Sequence, residues 1–464
     1  MNLPPGTTDA LAAAVDSRME HYTGVLASLV SVPGIAWAGF DQAELECSAV
    51  LVQELVRGVG FPDAKVVRSA AGPDVWNAAG GAPGVLATRP AAPGVPTILL
   101  YAHHDVQPAG PLDEWSSTPF AAERRDGRLW GRGAADNKAG IVMHLAAVEA
   151  LDAVLGPGNG LGVRVFIEGE EESGSPTLPA FLQEFRPDLL ADVAIVADSG
   201  SWAVGTPALT TSLRGLVDGT IHVRILDHAL HSGTYGGPLL DALVVLARLM
   251  GTFHDDDGTV AVEGLAQGPT PAVEMDEDTF RRDAGVLDGV HLVGEGSLTA
   301  RLWNKPSLSF IGLDAPPTAS AGNVLLPEAT VKFSLRLPPG NDPDRAMDVL
   351  QRHVLKHAPF GAEVSFSPGS RSKPFNVGLD NPMIRSALWS LETAWGAEPV
   401  AMGVGGSIPF VAALAEAQPA CSILVTGAED PDSRAHGANE SVHLGELRNA
   451  IVAEALFLAE MAGR

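Results

Sequence analysis

Apolar residues recur along this chain with two different periods, one typical of helices and the other typical of buried strands. Helical spacing runs through residues 9–30, 43–58 and 141–155. Short uninterrupted apolar runs, which predict strands buried on both faces, occupy residues 97–101, 163–167 and 192–197. Because helices and strands alternate in this order, the pattern predicts a doubly wound α/β domain.

The pattern changes at about residue 210, where half-exposed strands replace buried ones. Residues 216–224 alternate between apolar and polar side chains, which is typical of a sheet with one solvated face. Further predicted elements of this segment are helices at 238–250 and 342–357 and strands at 329–337 and 363–366. The combination predicts a small α+β layer inserted into the first domain.

Beyond the insertion, the chain returns to its first pattern. Helical spacing reappears at residues 382–393, and the apolar run at 421–426 is predicted to rejoin the first sheet. We therefore expect a first domain built from residues 1–209 and 381–464, with a second domain, residues 210–380, inserted between its two parts.

Composition is typical of a globular protein of two or more domains, with 46% hydrophobic and 19% charged residues in a chain of 464. The 56 acidic against 30 basic residues give a formal charge of −26, which argues against binding to a phosphate backbone. The amino terminus lacks a signal-peptide pattern, and no stretch approaches the roughly 20 apolar residues that span a bilayer. Cys47 and Cys421 could form at most one disulfide, so a cytoplasmic location is expected.

Ionisable side chains follow three of the predicted strands. Glu168 and residues 170–172 come directly after the strand at 163–167, His103 and Asp105 follow the strand at 97–101, and Asp198 follows the third strand. Ligands of open α/β sheets bind at the carboxyl ends of strands. Carboxylates crowded there repel one another and lose hydration, so the pattern favours a bound cation.

Two histidines and several carboxylates are candidate metal ligands. His103 and Asp105 point the same way from an extended segment, so the aspartate can orient the histidine. Asp136 lies in a glycine-rich turn before a predicted helix, where an N-cap role would also explain it. His436 follows the last predicted strand. This donor set suits zinc, manganese or cobalt.

Six motifs, met in a fixed order, make the chain resemble the cocatalytic zinc aminoacylase and carnosinase-type metallopeptidases, closest to their cytosolic dipeptidase branch. The resemblance covers nearly the whole chain. The motifs are YAHHDVQP at 101–108, GRGAAD at 131–136, EESGS at 171–175, HSG at 231–233, GGSIP at 405–409 and AH at 435–436.

The resemblance implies a site for two metal ions. Asp136 would bridge them, His103 and Asp198 would bind one ion, and Glu172 and His436 would bind the other. Two divalent cations, most often zinc in such enzymes, with manganese or cobalt possible, would balance the three carboxylates and a bridging hydroxide.

The same resemblance assigns two catalytic carboxylates. Asp105 would orient His103. Glu171 would be the general base that deprotonates a metal-bridging water and later the proton donor to the leaving amine. Glu168 and Glu170 would have no part in the reaction.

Residues of the inserted domain are implied to bind substrate. His231 would donate a hydrogen bond to the tetrahedral oxyanion, in dimeric relatives from the partner subunit, although a surface or capping histidine explains it as well. Asn323 and Arg336 would contact the substrate, with Arg336 on its terminal carboxylate, and a solvated strand arginine is the alternative. Gly406 and Ser407 would line the same subsite.

Two local features accompany these assignments. His104 is expected to lie behind the ligands or on the surface. A cis peptide bond is expected between Asp136 and Asn137, where the sequence after the aspartate departs from the usual text of the family.

The resemblance implies a zinc-peptidase-like catalytic domain with a mixed, mostly parallel sheet flanked by helices, an inserted lid and dimerisation domain, and a homodimer. The expected reaction is hydrolysis of dipeptides or very short peptides. Deacylation of N-acyl amino acids or related amides by the same site is the alternative, and a metal-dependent peptide binder without catalysis is a remote one.

Overall fold

The computed structural model describes residues 3–70 and 81–463. The chain divides into two compact units, the first comprising Met1–Thr211, Val377–Met402 and Ile408–Arg464 and the second comprising Ser212–Asn376 and Gly403–Ser407. The predicted boundaries assign residues 403–407 to the first domain, whereas they belong to the second unit, and Gly406 and Ser407 with them.

The helices follow one another in this order: α1 (Thr7–Asp16), α2 (Met19–Val30), α3 (Gln42–Gly58), α4 (Lys138–Leu155), α5 (Leu178–Glu184), α6 (Arg186–Leu189), α7 (Ser232–Tyr235), α8 (Ala242–Met250), α9 (Glu277–Asp283), α10 (Pro343–Lys356), α11 (Pro382–Trp395), α12 (Pro409–Ala417) and α13 (Leu444–Ala462).

The strands, also in chain order, are β1 (Lys65–Val67), β2 (Gly84–Arg89), β3 (Thr97–His103), β4 (Glu123–Arg125), β5 (Arg128–Trp130), β6 (Gly162–Glu168), β7 (Val193–Ala197), β8 (Ala208–Leu213), β9 (Gly215–Arg224), β10 (Leu230–His231), β11 (Ser307–Asp314), β12 (Val324–Leu325), β13 (Glu328–Leu337), β14 (Glu363–Ser372), β15 (Phe375–Asn376), β16 (Val400–Val404), β17 (Ser422–Thr426) and β18 (Ser441–His443).

The first unit is built around a mixed sheet with strand order β1-β2-β6-β3-β7-β17-β8. Its four central strands, β6, β3, β7 and β17, are parallel to one another, and β2 and β8 flank them in the antiparallel direction. The strands preceding Glu171, Asp105, Asp198 and His436 therefore all end at the same edge of the sheet, as the apolar runs predict.

Two long helices form the core of this unit. The residues of α4 are mostly apolar and buried, and so are those of α13, which packs against it. Their contact includes one polar pair, because His144 on α4 lies 2.8 Å from the carboxylate of Glu454 on α13. The other nitrogen of His144 lies 2.9 Å from the backbone oxygen of Tyr101, so a buried polar group on β3 is satisfied.

The helix predicted at residues 9–30 is in fact two helices, α1 and α2. The hydroxyl of Ser17 donates to the backbone oxygen of Ala14 at 2.8 Å, a local bond that competes with continuation of the helix. The helix predicted at residues 238–250 begins only at Ala242. Asp241 is its N-cap, and its carboxylate accepts the backbone N–H of Val244 at 2.8 Å.

The second unit has an antiparallel sheet of order β11-β13-β9-β14, with α8 and α10 packed on it. Side chains of β9 alternate between buried and partly exposed positions, as the sequence pattern predicts. Apolar residues of both layers, such as Ile221, Leu246, Phe333 and Leu350, are fully buried. The fold class, an α/β domain with an α+β insertion, is confirmed.

Within the described residues, none of the helices combines the length and hydropathy that crossing a membrane requires.

Candidate active site

The end of β3 positions the first candidate ligand. His103 is fully buried, and its Nε2 atom lies 3.1 Å from Asp136 Oδ1 and 3.7 Å from Asp198 Oδ1. Its other ring nitrogen, Nδ1, lies 3.1 Å from the backbone oxygen of Asp105 and 3.4 Å from its carboxylate. One nitrogen therefore faces the candidate ligands, and Asp105 orients the ring through the other.

A second group forms on the opposite oxygen of Asp136. The Nε2 atom of His436 lies 2.9 Å from Asp136 Oδ2 and 3.1 Å from Glu172 Oε2. Asp136 is thus shared by two clusters, with one carboxylate oxygen turned toward each histidine.

The two clusters fit a pair of divalent metal ions. The ligand atoms of His103, Asp136 and Asp198 lie within 4.8 Å of one another, and so do those of Asp136, Glu172 and His436. Each cluster offers one imidazole and two carboxylates, a donor set suited to zinc, manganese or cobalt. All five residues predicted as metal ligands are therefore brought together.

Carboxylates surround both histidines and favour their charged forms. Burial opposes protonation of His103, yet its hydrogen bonds to three aspartates raise its pKa well above the usual value. Hydrogen bonds to Asp136 and Glu172 raise the pKa of His436 to about 11. The two histidines thus retain protons, and they supply positive charge where metal ions would otherwise supply it.

Several carboxyl groups of the site have raised pKa values. Burial raises the pKa of Glu171 well above its usual value, and repulsion from Asp198 adds to the shift. Burial and the charge of Asp136 raise the pKa of Glu172 and that of Glu429, a carboxyl group that the sequence analysis did not single out. Such a concentration of buried negative charge requires cations.

Asp105 also holds the segment that carries Glu171 and Glu172. Its two carboxylate oxygens accept the backbone N–H groups of these residues, at 3.2 Å from Glu171 and 3.0 Å from Glu172. The amide of Gln107 donates to Glu172 Oε2 at 2.7 Å. Residues after β3 therefore position one candidate ligand of each cluster, His103 in the first and Glu172 in the second.

Asp136 is not the N-cap of α4, because that position is occupied by Asn137. The Asn137 amide donates to Asp198 Oδ1 at 3.1 Å and to the backbone oxygen of Ala197. The peptide bond between Asp136 and Asn137 is cis, as expected. Asn137 thus links the turn before α4 to the end of β7.

Glu168 and Glu170 lie outside both clusters, in agreement with the sequence analysis. Glu168 accepts a hydrogen bond from the Tyr101 hydroxyl at 2.6 Å, and Glu170 accepts bonds from Thr177 at 2.6 and 2.7 Å. His104 is fully buried and not on the surface, since its ring contacts the Ser48 hydroxyl at 3.1 Å and a backbone oxygen at 2.8 Å.

In the second unit, Arg336 on β13 lies beside Ser407, to whose hydroxyl it donates at 3.2 Å. A further guanidinium, that of Arg214, donates to the backbone oxygen of Gly405 at 3.0 Å, and its buried Nη1 atom has no hydrogen-bond partner among the described residues. Burial and the charge of Arg336 lower the pKa of Arg214 to about 10. The two neighbouring cations favour an anionic ligand.

His231 and Asn323 are also neighbours within the second unit. β10 pairs with β12, which places His231 opposite Val324, and the backbone oxygen of Asn323 accepts the N–H of Ser232 at 3.1 Å. The ring of His231 is exposed, and its Nδ1 atom accepts the backbone N–H of Gly233 at 3.1 Å. The other nitrogen, Nε2, then carries the ring proton and is a donor.

Residues 99–460 match a family model described as Peptidase family M20/M25/M40. A cysteinylglycine-S-conjugate dipeptidase of Corynebacterium striatum is 36% identical over 368 residues, which cover 78% of this chain and 80% of that protein. The crystal structure of human carnosine dipeptidase 1 is similar over 100% of both chains, with a TM-score of 0.83 and 24% identity. That of the dipeptidase Dug1p from Saccharomyces cerevisiae has a TM-score of 0.84 and 21% identity over 98% of this chain and 99% of that one.

Proposed function

The chain belongs to peptidase family M20/M25/M40, and from this premise we propose that it is a metal-dependent hydrolase that cleaves the peptide bond of dipeptides or very short peptides. The names of its relatives support this reaction, since the Corynebacterium striatum protein and the carnosine and Dug1p enzymes are all called dipeptidases. The observation that carries the proposal is the sharing of Asp136 between two candidate ligand clusters.

We assign the two clusters to two divalent ions, most often zinc in sites of this donor set, with manganese or cobalt as alternatives. His103, Asp136 and Asp198 would hold one ion, and Asp136, Glu172 and His436 the other. When bound, the ions supply a water of lowered pKa and polarise the scissile carbonyl.

Glu171 is the proposed proton carrier. It is the sequence neighbour of Glu172, and its backbone is held by Asp105, yet its carboxyl belongs to neither candidate ligand cluster. In this position it can accept a proton from the attacking water and deliver it to the nitrogen of the leaving amine. Asp105 is proposed to keep His103 and the Glu171–Glu172 segment in place for this transfer.

We propose that Arg336 and Ser407 bind the carboxylate at the end of the substrate, with Gly406 and Asn323 in the same subsite. The support is the 3.2 Å contact between Arg336 and Ser407 and the second guanidinium, Arg214, in the same unit. A planar guanidinium matches a carboxylate with two parallel hydrogen bonds. Such a subsite favours short substrates with a free carboxyl terminus.

His231 is proposed as the donor to the oxyanion of the transition state, acting in a homodimer from the partner subunit. The support is its exposed ring, whose Nδ1 accepts from Gly233 and whose Nε2 is left as a donor. We also propose a cytoplasmic location, which agrees with the two free cysteines.

A hydrolysis panel tests the proposed function. The purified protein is supplied with zinc, manganese or cobalt and assayed with cysteinylglycine, one of its S-conjugates, β-alanylhistidine and simple dipeptides. N-acetyl and N-succinyl amino acids are assayed in parallel, because a deacylase would use the same metals, base and carboxylate subsite. Preference for the acylated compounds would replace the dipeptidase assignment by a deacylase assignment. If neither dipeptides nor N-acyl amino acids are hydrolysed, both assignments are refuted.

A further inference from the structure

A buried ion pair lies beside the candidate metal ligands without belonging to either cluster. Arg132 is 1% exposed and Glu440 is fully buried, and Arg132 Nη1 donates to Glu440 Oε2 at 2.7 Å. The two residues are 308 positions apart in sequence. Arg132 precedes the candidate ligand Asp136 by four residues, and Glu440 follows the candidate ligand His436 by four residues.

The carboxylate of Glu440 binds the glycine-rich turn along its whole length. Besides Arg132, its Oε2 atom accepts the backbone N–H of Gly133 at 2.9 Å. Its Oε1 atom accepts those of Ala135 at 2.9 Å and of Asp136 at 3.0 Å. One buried carboxylate thus holds the backbone of the residue that both clusters share.

The guanidinium of Arg132 binds the loop that carries the other ligand. Its Nη2 atom faces the backbone oxygens of His436 at 3.2 Å, of Gly437 at 3.1 Å and of Pro108 at 3.3 Å. Pro108 ends the motif that begins on β3. The pair therefore contacts all three segments from which His103, Asp136 and His436 extend.

The loop around His436 needs such support because its backbone is unfavourable. His436 itself has a φ of 64°, and Arg434 and Asn439 have φ values of 55° and 62°. Left-handed backbone at residues other than glycine costs energy and persists only where the surroundings hold it. The contacts of Arg132 with the backbone oxygens of His436 and Gly437 provide that restraint at the candidate ligand itself.

We infer that the Arg132–Glu440 pair is a positioning device that sets the metal affinity of the cluster formed by Asp136, Glu172 and His436. The inference rests on the proposed metal site and deepens it. Residues that orient ligands typically change metal affinity by about 10- to 100-fold when they are replaced. The His103 cluster should respond less, because it shares only Asp136 with the segments that the pair holds most closely, and the pair reaches the His103 segment only through the backbone of Pro108.

The test compares Glu440→Gln with a matched buried carboxylate, Glu446→Gln. Glu446 is 2% exposed and accepts hydrogen bonds from the Ser201 hydroxyl at 2.6 Å, the Gly205 N–H at 2.9 Å and the Trp395 indole at 2.9 Å. None of these donors belongs to a candidate ligand. A glutamine at 440 would turn its NH2 group toward N–H donors, so bonds to the turn would be lost.

Metal affinity is measured without substrate, by letting the protein compete with a chromophoric chelator for zinc or cobalt. Ligand geometry is monitored by the visible absorption spectrum of the cobalt form. We expect Glu440→Gln to weaken binding of one ion by about 10- to 100-fold and to change the cobalt spectrum. Glu446→Gln should lower the melting temperature at least as much and leave both metal readouts unchanged. Wild-type metal affinity and spectrum in Glu440→Gln would overturn the inference.

Arg132→Lys is the second variant, since it keeps the charge but has one nitrogen in place of Nη1, which binds Glu440, and Nη2, which contacts three backbone oxygens. If Glu440→Gln does not fold, the inference is tested by the same metal competition experiment on Arg132→Lys. Failure of both to fold would assign the pair to stability alone and overturn the inference. Because no substrate is present, a protein that binds two ions and hydrolyses no dipeptide would refute the proposed function and leave this inference standing.

Discussion

Asp105 accepts the backbone N–H of Glu172 at 3.0 Å, which connects an oriented histidine at the end of β3 to a ligand of the other cluster. The same carboxylate lies 3.4 Å from His103 Nδ1 and accepts the N–H of Glu171. A single side chain therefore holds two candidate ligands, His103 and Glu172, and the proposed base, Glu171, in position. Asp105 thus has a structural role beside the candidate ligands although it belongs to neither cluster.

Replacing Asp105 by asparagine is expected to impair both clusters. An asparagine can accept at only one oxygen, and its NH2 group would face either an N–H donor or His103. We expect turnover to fall and metal affinity to weaken by about 10- to 100-fold each, measured by steady-state kinetics and chelator competition. Asp152→Asn is the control. Asp152 lies on α4, and its carboxylate pairs with Arg89 at 2.8 Å, away from the candidate ligands. Equal effects of the two variants on metal affinity would contradict the role of Asp105.

Adjacent glutamates are expected to respond differently to the same substitution. Glu171→Gln removes the proposed base and no ligand, so both metal ions should remain while turnover falls by about 10³-fold. Glu172→Gln weakens a candidate ligand, so the protein should lose about one of the two proposed ions. Elemental analysis after dialysis, combined with an activity assay, separates the two outcomes. A Glu171→Gln protein with near-normal turnover would remove Glu171 from the mechanism.

The convergence of the candidate metal ligands could be predicted because much of the relevant information is local. Each apolar run ends where a ligand or an oriented side chain begins, as at His103 and Asp198, and parallel strands bring such ends to one edge of the sheet. The different roles of Glu171 and Glu172 came from the resemblance. No local pattern distinguishes two neighbouring carboxylates.

The supporting residues could not be predicted in this way. Glu440 acts on backbone N–H groups about 300 positions away, and any carboxylate in the right place would serve. Arg214 likewise stands out only in the folded chain, where its Nη1 atom has no hydrogen-bond partner among the described residues and the charge of Arg336 is close by. The break between α1 and α2 depends on a single hydroxyl, that of Ser17, which the helical period does not reveal.

Arg336→Ala is expected to act on substrate binding and hardly on turnover. Loss of a charged hydrogen-bonding partner of a carboxylate costs about 2 kcal/mol, which corresponds to roughly a 30-fold increase in KM. A dipeptide amide, which has no terminal carboxylate, should be affected much less. Arg371→Ala is the matched control, because Arg371 lies on β14 of the same unit and pairs with the exposed Asp344. An equal loss for the acid and the amide would argue against a carboxylate subsite.

His353 predicts a pH dependence of stability that is independent of the metal site. The residue is 6% exposed, and its Nε2 atom lies 2.9 Å from the Thr252 hydroxyl. Burial lowers the pKa of His353 to about 4, and the nearby His357 and Lys356 add to the shift. Between pH 6.5 and pH 4 the unfolded chain binds a proton that the folded chain does not, so stability falls as the pH falls.

A glutamine at this position keeps a polar group near Thr252 and does not titrate. The free energy of unfolding is measured at pH 7 and at pH 5 for the wild type and for His353→Gln. We expect the wild type to lose more stability over this range, by at most about 1.4 kcal/mol per pH unit. Parallel curves for the two proteins would show that His353 is not the group responsible.

Mixed dimers test whether His231 acts across a subunit boundary. If each active site takes Glu171 from one subunit and His231 from the other, a dimer of one His231→Ala and one Glu171→Gln subunit contains one intact site and one doubly altered site. Random pairing of equal amounts makes about half of all dimers mixed, so about a quarter of wild-type activity should return from two inactive proteins. If His231 serves its own subunit, no site in any dimer is intact and none should return. When the two variants are co-expressed with different tags and the mixed dimers are purified on both, about half of wild-type activity is expected, because each mixed dimer has one intact site of two. His228→Ala, a change to an exposed neighbour in the same segment, should be active alone.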